Sequence, residues 1–240
     1  MRSMLAAGLI GLWLCGDAWA EPRKMVFIAP ISQDMPIAGY TNGVLTQGIL
    51  KDFGEVLAQR LGRQPEFVSL PSKRVSMAFA QGQADAVCYV LPAWIDGAFN
   101  WSKPLFPTAE IIVAQPTARP ITALADMAKV PVGTVLGYRH PRIEQALGLD
   151  FFRDDAPTME LLFAKLALGR TDYGIVDALT LSYKQKLDKS LRLRADMTLT
   201  TSVTQCAFSK LSSVPFAEVK VAIDNLVSDG TLDRIVAKYR

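Results

Sequence analysis

Two periods organise the apolar positions of this chain. Ile49, Leu50, Phe53, Val56, Leu57 and Leu61 recur with helical spacing and predict an amphipathic helix over 49–61, stopped by Gly62. Short apolar runs predict strands at 24–29, 66–70, 84–90, 111–114, 130–135 and 173–176. Further helices are predicted from Ser72, read as an N-cap, to Gly82, over 142–147, from the cap Thr158 to Gly169, and over 178–187, 216–226 and 232–239. The segment 199–209 alternates in part and reads as a strand returning the chain to its first half. Segment 30–48 reads as a loop, and 91–106 as an irregular aromatic stretch. Strands alternating with helices predict an α/β protein with mostly parallel sheets.

One pattern occurs twice. Residues 77–88 and 162–175 each give an amphipathic helix, a Gly (Gly82, Gly169), a polar residue, an Asp (Asp85, Asp172) and a buried strand. Gly suits the left-handed position that closes many helices. The repetition predicts two similar α/β lobes, with the Asp residues stabilising equivalent turns. Two lobes facing each other make a cleft, the usual place for a small ligand.

The N-terminus changes the picture. Arg2, the apolar run 4–14 and the small residues flanking Trp19 form a secretory signal with cleavage after Ala20. The run is shorter than the ~20 residues a membrane-spanning helix needs. Leu14 is too bulky for lipoprotein processing at Cys15. An exported chain of two lobes follows, with boundaries read as 1–20 for the signal, 21–115 for lobe 1, 116–203 for lobe 2 and 204–240 back in lobe 1. Pro116 and Pro120 mark the first crossing.

Charge argues against nucleic acid: 26 basic and 23 acidic residues are interspersed, for a net +3, with no basic block. With a single histidine, His140, and no Cys-x-x-Cys, no metal ligand set is expected and no cofactor is called for. Past the signal, Cys88 and Cys206 are either a disulfide or two separate buried thiols. The chain has no phosphate-binding Gly-Lys-Ser/Thr loop and no Gly-x-Ser-x-Gly.

Taken in order, Gly48-Ile49-Leu50-Lys51-Asp52-Phe53, Gly82-x-x-Asp85, Trp101-Ser102-Lys103-Pro104, Gly169-Arg170-x-Asp172 and Ser228-Asp229-Gly230-Thr231-Leu232 resemble the family 3 bacterial extracellular solute-binding proteins. The resemblance covers essentially the whole mature chain. It implies two Rossmann-like lobes joined by two crossover strands, the periplasmic binding protein type II fold, closing on a small solute by a hinge. It also implies a periplasmic monomer that delivers its solute to a membrane ABC permease with a separate ATPase subunit, and not an enzyme. It places Cys88 and Cys206 on neighbouring strands, which favours a disulfide.

Site residues carry over unevenly. The family's amine-binding Asp falls on Asp177, and its anion-binding loop on Gly137-Tyr138-Arg139. The stretch 89–102, where amino-acid binders place a carboxylate-clamping Arg, holds none. Asp177 is either a partner for a ligand cation or the N-cap of the helix from Ala178, or both through different oxygens. Arg139 is either an anion contact or a solvated charge. Tyr89 and Trp94 are candidates to stack on a ligand or close the cleft, and Trp101 is read as core. Arg74 is a candidate replacement for the missing Arg or a surface charge. Asp34 follows the first strand, where open α/β sheets bind ligands. Two other functions share the scaffold: a sensory or accessory module acting through a membrane partner, and a cyclohexadienyl-dehydratase-like enzyme. Asp34, Asp96, Glu110 and His140 supply the latter with scattered acid–base groups only.

Overall fold

The computed structural model describes residues 23–239. The signal segment, Cys15 and the cleavage site after Ala20 lie outside the described residues. In chain order the strands are β1 (Lys24–Pro30), β2 (Gly39–Thr41), β3 (Val44–Gln47), β4 (Gln64–Leu70), β5 (Ala86–Val90), β6 (Asn100–Trp101), β7 (Phe106–Ala114), β8 (Pro131–Val135), β9 (Phe152–Ala156), β10 (Tyr173–Asp177) and β11 (Arg194–Phe208). The α-helices are α1 (Ile49–Arg60), α2 (Val75–Ala80), α3 (Pro141–Leu147), α4 (Met159–Ala167), α5 (Ala178–Leu187), α6 (Phe216–Ser228) and α7 (Thr231–Ala237).

Two lobes hang on one antiparallel pair. In lobe 1, β4, β1 and β5 run parallel, and β11 closes antiparallel on β5. In lobe 2, β9, β8 and β10 run parallel, and β10 meets β7 antiparallel. Strands β7 and β11 are paired from Phe106↔Thr204 to Ala114↔Arg194 and belong to both halves. They are the two crossover strands of the type II periplasmic binding protein fold.

Period-two alternation sorts each sheet's side chains onto two faces. In lobe 1, Met25, Phe27 and Ala29 pack with α1, α6 and α7, while Ile28, Val87 and Ala207 pack against Val75 and Phe79 of α2. In lobe 2, Ile111 and Val113 face Leu162, Phe163 and Leu166 of α4, whereas Ile112 and Ala114 face Met127 and Ile143. The repeated Gly turn is the same in both lobes. Gly82 (φ 66°) and Gly169 (φ 64°) donate to Phe79 and Leu166, and Gln83 and Arg170 donate to Ala78 and Lys165, the Schellman pattern in each case.

The symmetry stops at the Asp side chains. Asp85 accepts from Val26 N at 2.7 Å and ties the turn to β1, whereas Asp172 is exposed and contributes its backbone carbonyl, to Gln115 N. Three expectations need correction. Segment 39–47 is a hairpin turning at Asn42-Gly43, both with positive φ. Ser72 opens a 3-10 turn without capping it, because its hydroxyl pairs with Ser32. Strand β9 was unforeseen; as FRDDA at a sheet edge it lacks an apolar run.

Candidate ligand-binding cleft

The lobes enclose a cleft of about 970 Å³, its open mouth included, built from the carboxyl ends of β1, β5, β8 and β10 and from the two crossover strands. Its floor is polar because β7 alternates. Thr108 and Glu110 interrupt an apolar strand on one face, and Glu110 lies opposite both Asp177 and Thr200 in the sheet.

Asp177 serves two masters. Oδ1 caps α5, accepting from Leu179 N at 2.8 Å and Thr180 N at 3.1 Å. Oδ2 accepts from Tyr89 Oη at 3.1 Å and from the Thr108 hydroxyl. Burial nevertheless pushes the Asp177 carboxyl above its usual range, against the four donors that pull it down. Among the described residues no cationic side chain is bonded to it.

Tyr89 reaches across from lobe 1 because its backbone is bent. Gln205 and Cys206 on β11 face Val90 and Cys88, which leaves Tyr89 as the extra residue of a bulge with φ 62°. Its ring packs on Phe106, and desolvation drives its hydroxyl well above the ordinary tyrosine range. Beside the bulge, Cys88 and Cys206 form a disulfide between directly paired residues of β5 and β11.

Glu110 and His140 form a pair that sequence reading left as scattered groups. Glu110 Oε1 lies 2.6 Å from His140 Nδ1, and His140 is 1% exposed. In the tautomer that places Nδ1–H on the carboxylate, Nε2 is left as an acceptor. Among the described residues, that Nε2 has no hydrogen-bond partner, and neither do Gln33 Oε1 and Thr180 Oγ1; all three residues border the cleft. Buried polar atoms left so cost about 1–3 kcal/mol each, and native proteins keep them few.

The remaining candidates divide between rim and exterior. Asp34 lies between lobes: Oδ1 accepts from Met35 N, and Oδ2 sits 2.6 Å from Lys184 Nζ of α5. Arg139, half-exposed on lobe 2, grips Asp96 of lobe 1 with both Nη atoms, so its fork is committed to a protein carboxylate. This pairing holds Asp96 below the usual carboxylate range. Tyr138 and Trp94 border the cleft; Tyr138 bonds Ser32, and burial raises its hydroxyl. Gly137 (φ 88°) passes so close to lobe 1 that a Cβ there would stand 2.8 Å from Lys73 Cγ. Met159 N donates to Ser32 O at 2.9 Å, another tie between lobes. Arg74 is exposed and outside the cleft lining, because the 3-10 turn directs Ser72 and Val75 there instead. Trp101 packs edge-on against Phe99 in lobe 1, as core.

This architecture defines a two-lobed binding-protein fold with a lined interlobe cleft. No protein-family model and no curated sequence matches the chain. Solved structures do match. A mutant of ArgBP from T. maritima superposes with a TM-score of 0.76 at 16% identity, over 91% of this chain and 95% of that one. The arginine-, lysine-, histidine-binding protein ArtJ from Geobacillus stearothermophilus gives 0.76 at 15%, over 90% and 95%. The ancestral amino-acid-binding protein AncCDT-1, a precursor of cyclohexadienyl dehydratase, gives 0.75 at 19%, over 91% and 95%. At these identities the likeness shows the fold.

Proposed function

We propose that this protein is an exported, monomeric solute-binding protein that captures a small polar solute between its lobes and hands it to an ABC permease with a separate ATPase subunit. The observation that carries the reading is the convergence of buried, unpartnered polar atoms on one interlobe cleft, from Gln33 in lobe 1 and His140 and Thr180 in lobe 2. A solute touching both sets stabilises the closed arrangement by its differential contacts. The named neighbours that bind amino acids support it. Signal cleavage after Ala20 and a periplasmic location belong to the same proposal. So do the ligand-contact roles of Asp177, Tyr89, Tyr138, Trp94 and Asp34. For Arg139 the proposal is a latch role through Asp96.

The test is a thermal-shift screen of protein stripped of carried solute by partial unfolding and refolding. The library holds amino acids, amines, organic acids, aromatic acids and short peptides. A solute at about a thousand times its Kd adds roughly 4 kcal/mol and moves the midpoint by several degrees. A hit that disappears when the cleft is mutated supports capture; a library that moves nothing rejects it. A cyclohexadienyl-dehydratase-like enzyme is the second reading, favoured by the Glu110–His140 pair as a placed acid–base group. Turnover of a cyclohexadienyl acid by purified protein, abolished in Glu110→Gln, would establish it.

A further inference from the structure

We infer that the cleft selects a small cationic solute lacking a carboxylate, and that His140 Nε2 with Glu110 is the contact that sets this specificity. The inference rests on the binding-protein reading above and names its solute class.

Charge is the first support. Three carboxylates line the cleft, Asp34, Glu110 and Asp177, and Asp96 stands outside the lining, at the rim, on Arg139. Two cations face them, and both are committed, Lys184 to Asp34 and Arg139 to Asp96. Lys184 also stacks over the Phe163 ring at 5.2 Å, which fixes it further. The amides of Leu179 and Thr180 at the start of α5, a natural anion site, are taken by Asp177. An anionic group entering the cleft therefore finds no uncommitted guanidinium or ammonium among the lining residues, and it meets Asp177, which bonds only neutral donors, and Glu110, held by His140 alone. A cation meets the reverse.

The second support is independent of the charge count. His140 is buried, lines the cleft and leaves Nε2 without a partner. Its orientation is fixed on the other edge by Glu110 and by Phe151, which meets the ring edge-on at a centroid distance of 6.3 Å. In the tautomer that keeps Nδ1–H on Glu110, Nε2 is an acceptor, and a solute seated there brings an N–H or O–H to it. Glu110 lies in the same sheet row as Asp177. An ammonium or guanidinium placed between them has acceptors on both sides, whereas an α-carboxylate attached to it would be carried into the same acidic floor.

Isothermal titration calorimetry at about pH 8 tests this, with matched pairs that differ by the carboxylate: agmatine against arginine, cadaverine against lysine, histamine against histidine. The expected result is that at least one amine binds, and binds tenfold or more tightly than its amino acid. Glu110→Gln, close to isosteric, should weaken that amine at least tenfold and narrow its margin over the amino acid, with the thermal midpoint of the free protein reporting that the fold is kept. His140→Phe should weaken the same amine, and His140→Gln, which restores an acceptor, should recover part of the loss. The inference is overturned if the amino acid equals or exceeds its amine in every pair, if a carboxylic acid binds tighter than any amine, or if Glu110→Gln leaves affinity unchanged. If no amine binds but another solute from the wider library does, this inference falls and the solute-binding reading stands. If nothing binds, both fall.

Discussion

The rim and the floor of the cleft use the same kinds of side chain to opposite ends. At the rim, Arg139 and Asp96 make a bidentate ion pair in contact with solvent, 44% and 74% exposed. On the floor, His140 is buried and Asp177 and Glu110 are partly buried, and desolvation holds Asp177 above the usual carboxylate range. Water screens the rim pair, so it contributes orientation and a latch between lobes more than energy. The floor is screened less, so a missing or extra charge there weighs more than at the rim. Under the proposed function, specificity is assigned to the floor and closure to the rim, an assignment that mutation can separate.

The largest expected effect comes from the staple under the floor. Replacing Cys88 and Cys206 with Ala removes a link between positions 118 residues apart and should lower stability by about 2–5 kcal/mol, read by denaturant unfolding. If ligand affinity survives that loss unchanged, the bulge that aims Tyr89 is set by β5 and β11 alone. Next in size is Asp177→Ala, which removes the α5 cap and strands two hydroxyls. The expected cost is about 1–3 kcal/mol in the free protein, together with loss of cation binding.

Asp177→Asn sharpens the point by reversing one sign. Asn keeps an oxygen for the cap but carries no charge. Because the folded carboxyl titrates above its value of 3.8 in the unfolded chain, its neutral form is the one favoured by folding. The wild type is thus most stable relative to Asp177→Asn below about pH 3.8 and loses ground as pH rises through the folded carboxyl's raised value. Parallel melts across acid to neutral pH should show the free variant gaining on the wild type. A constant difference would mean that Asp177 is not desolvated.

Smaller still is Gly137→Ala, whose methyl meets Lys73 and whose φ of 88° disfavours a side chain. It should weaken solute binding several-fold through closure, with the wild-type preference among solutes retained. Arg139→Ala should have the least effect on affinity, within about threefold, while making it less dependent on salt. A tenfold loss in selectivity from Arg139→Ala would break the division between rim and floor.

Much of the frame was legible because it depends on local rules. The 3.6-residue spacing of α1, the Thr158 cap of α4 and the two Gly-closed turns are each written within a few neighbouring residues. Asp177 was legible as a cap because a cap is local, and its second oxygen is left to the Tyr89 and Thr108 hydroxyls at the cleft. What escaped was long-range or polar. Glu110 and His140 are 30 residues apart, and Asp96 and Arg139 are 43 apart, and no periodicity brings them together. One signal was available for the floor: Thr108 and Glu110 sit two apart in a run otherwise fit for the core, which marks one face of β7 as something other than packing. The hairpin had its Asn-Gly turn as a signal, whereas β9 had none.

The path of β11 back into lobe 1 has a consequence for how the molecule is born. The sheet of lobe 2 is complete once β10 and the adjoining part of β11 exist, drawn from one continuous stretch of chain. Lobe 1 begins first yet finishes last. Its core needs Cys206, Phe208, α6 and α7, and Tyr239 accepts from Gly48 N at 3.1 Å across 191 residues. A chain emerging from its N-terminus can therefore close its second lobe while its first is still an open sheet waiting for its last helices. In this protein the order of synthesis and the order of completion run in opposite directions.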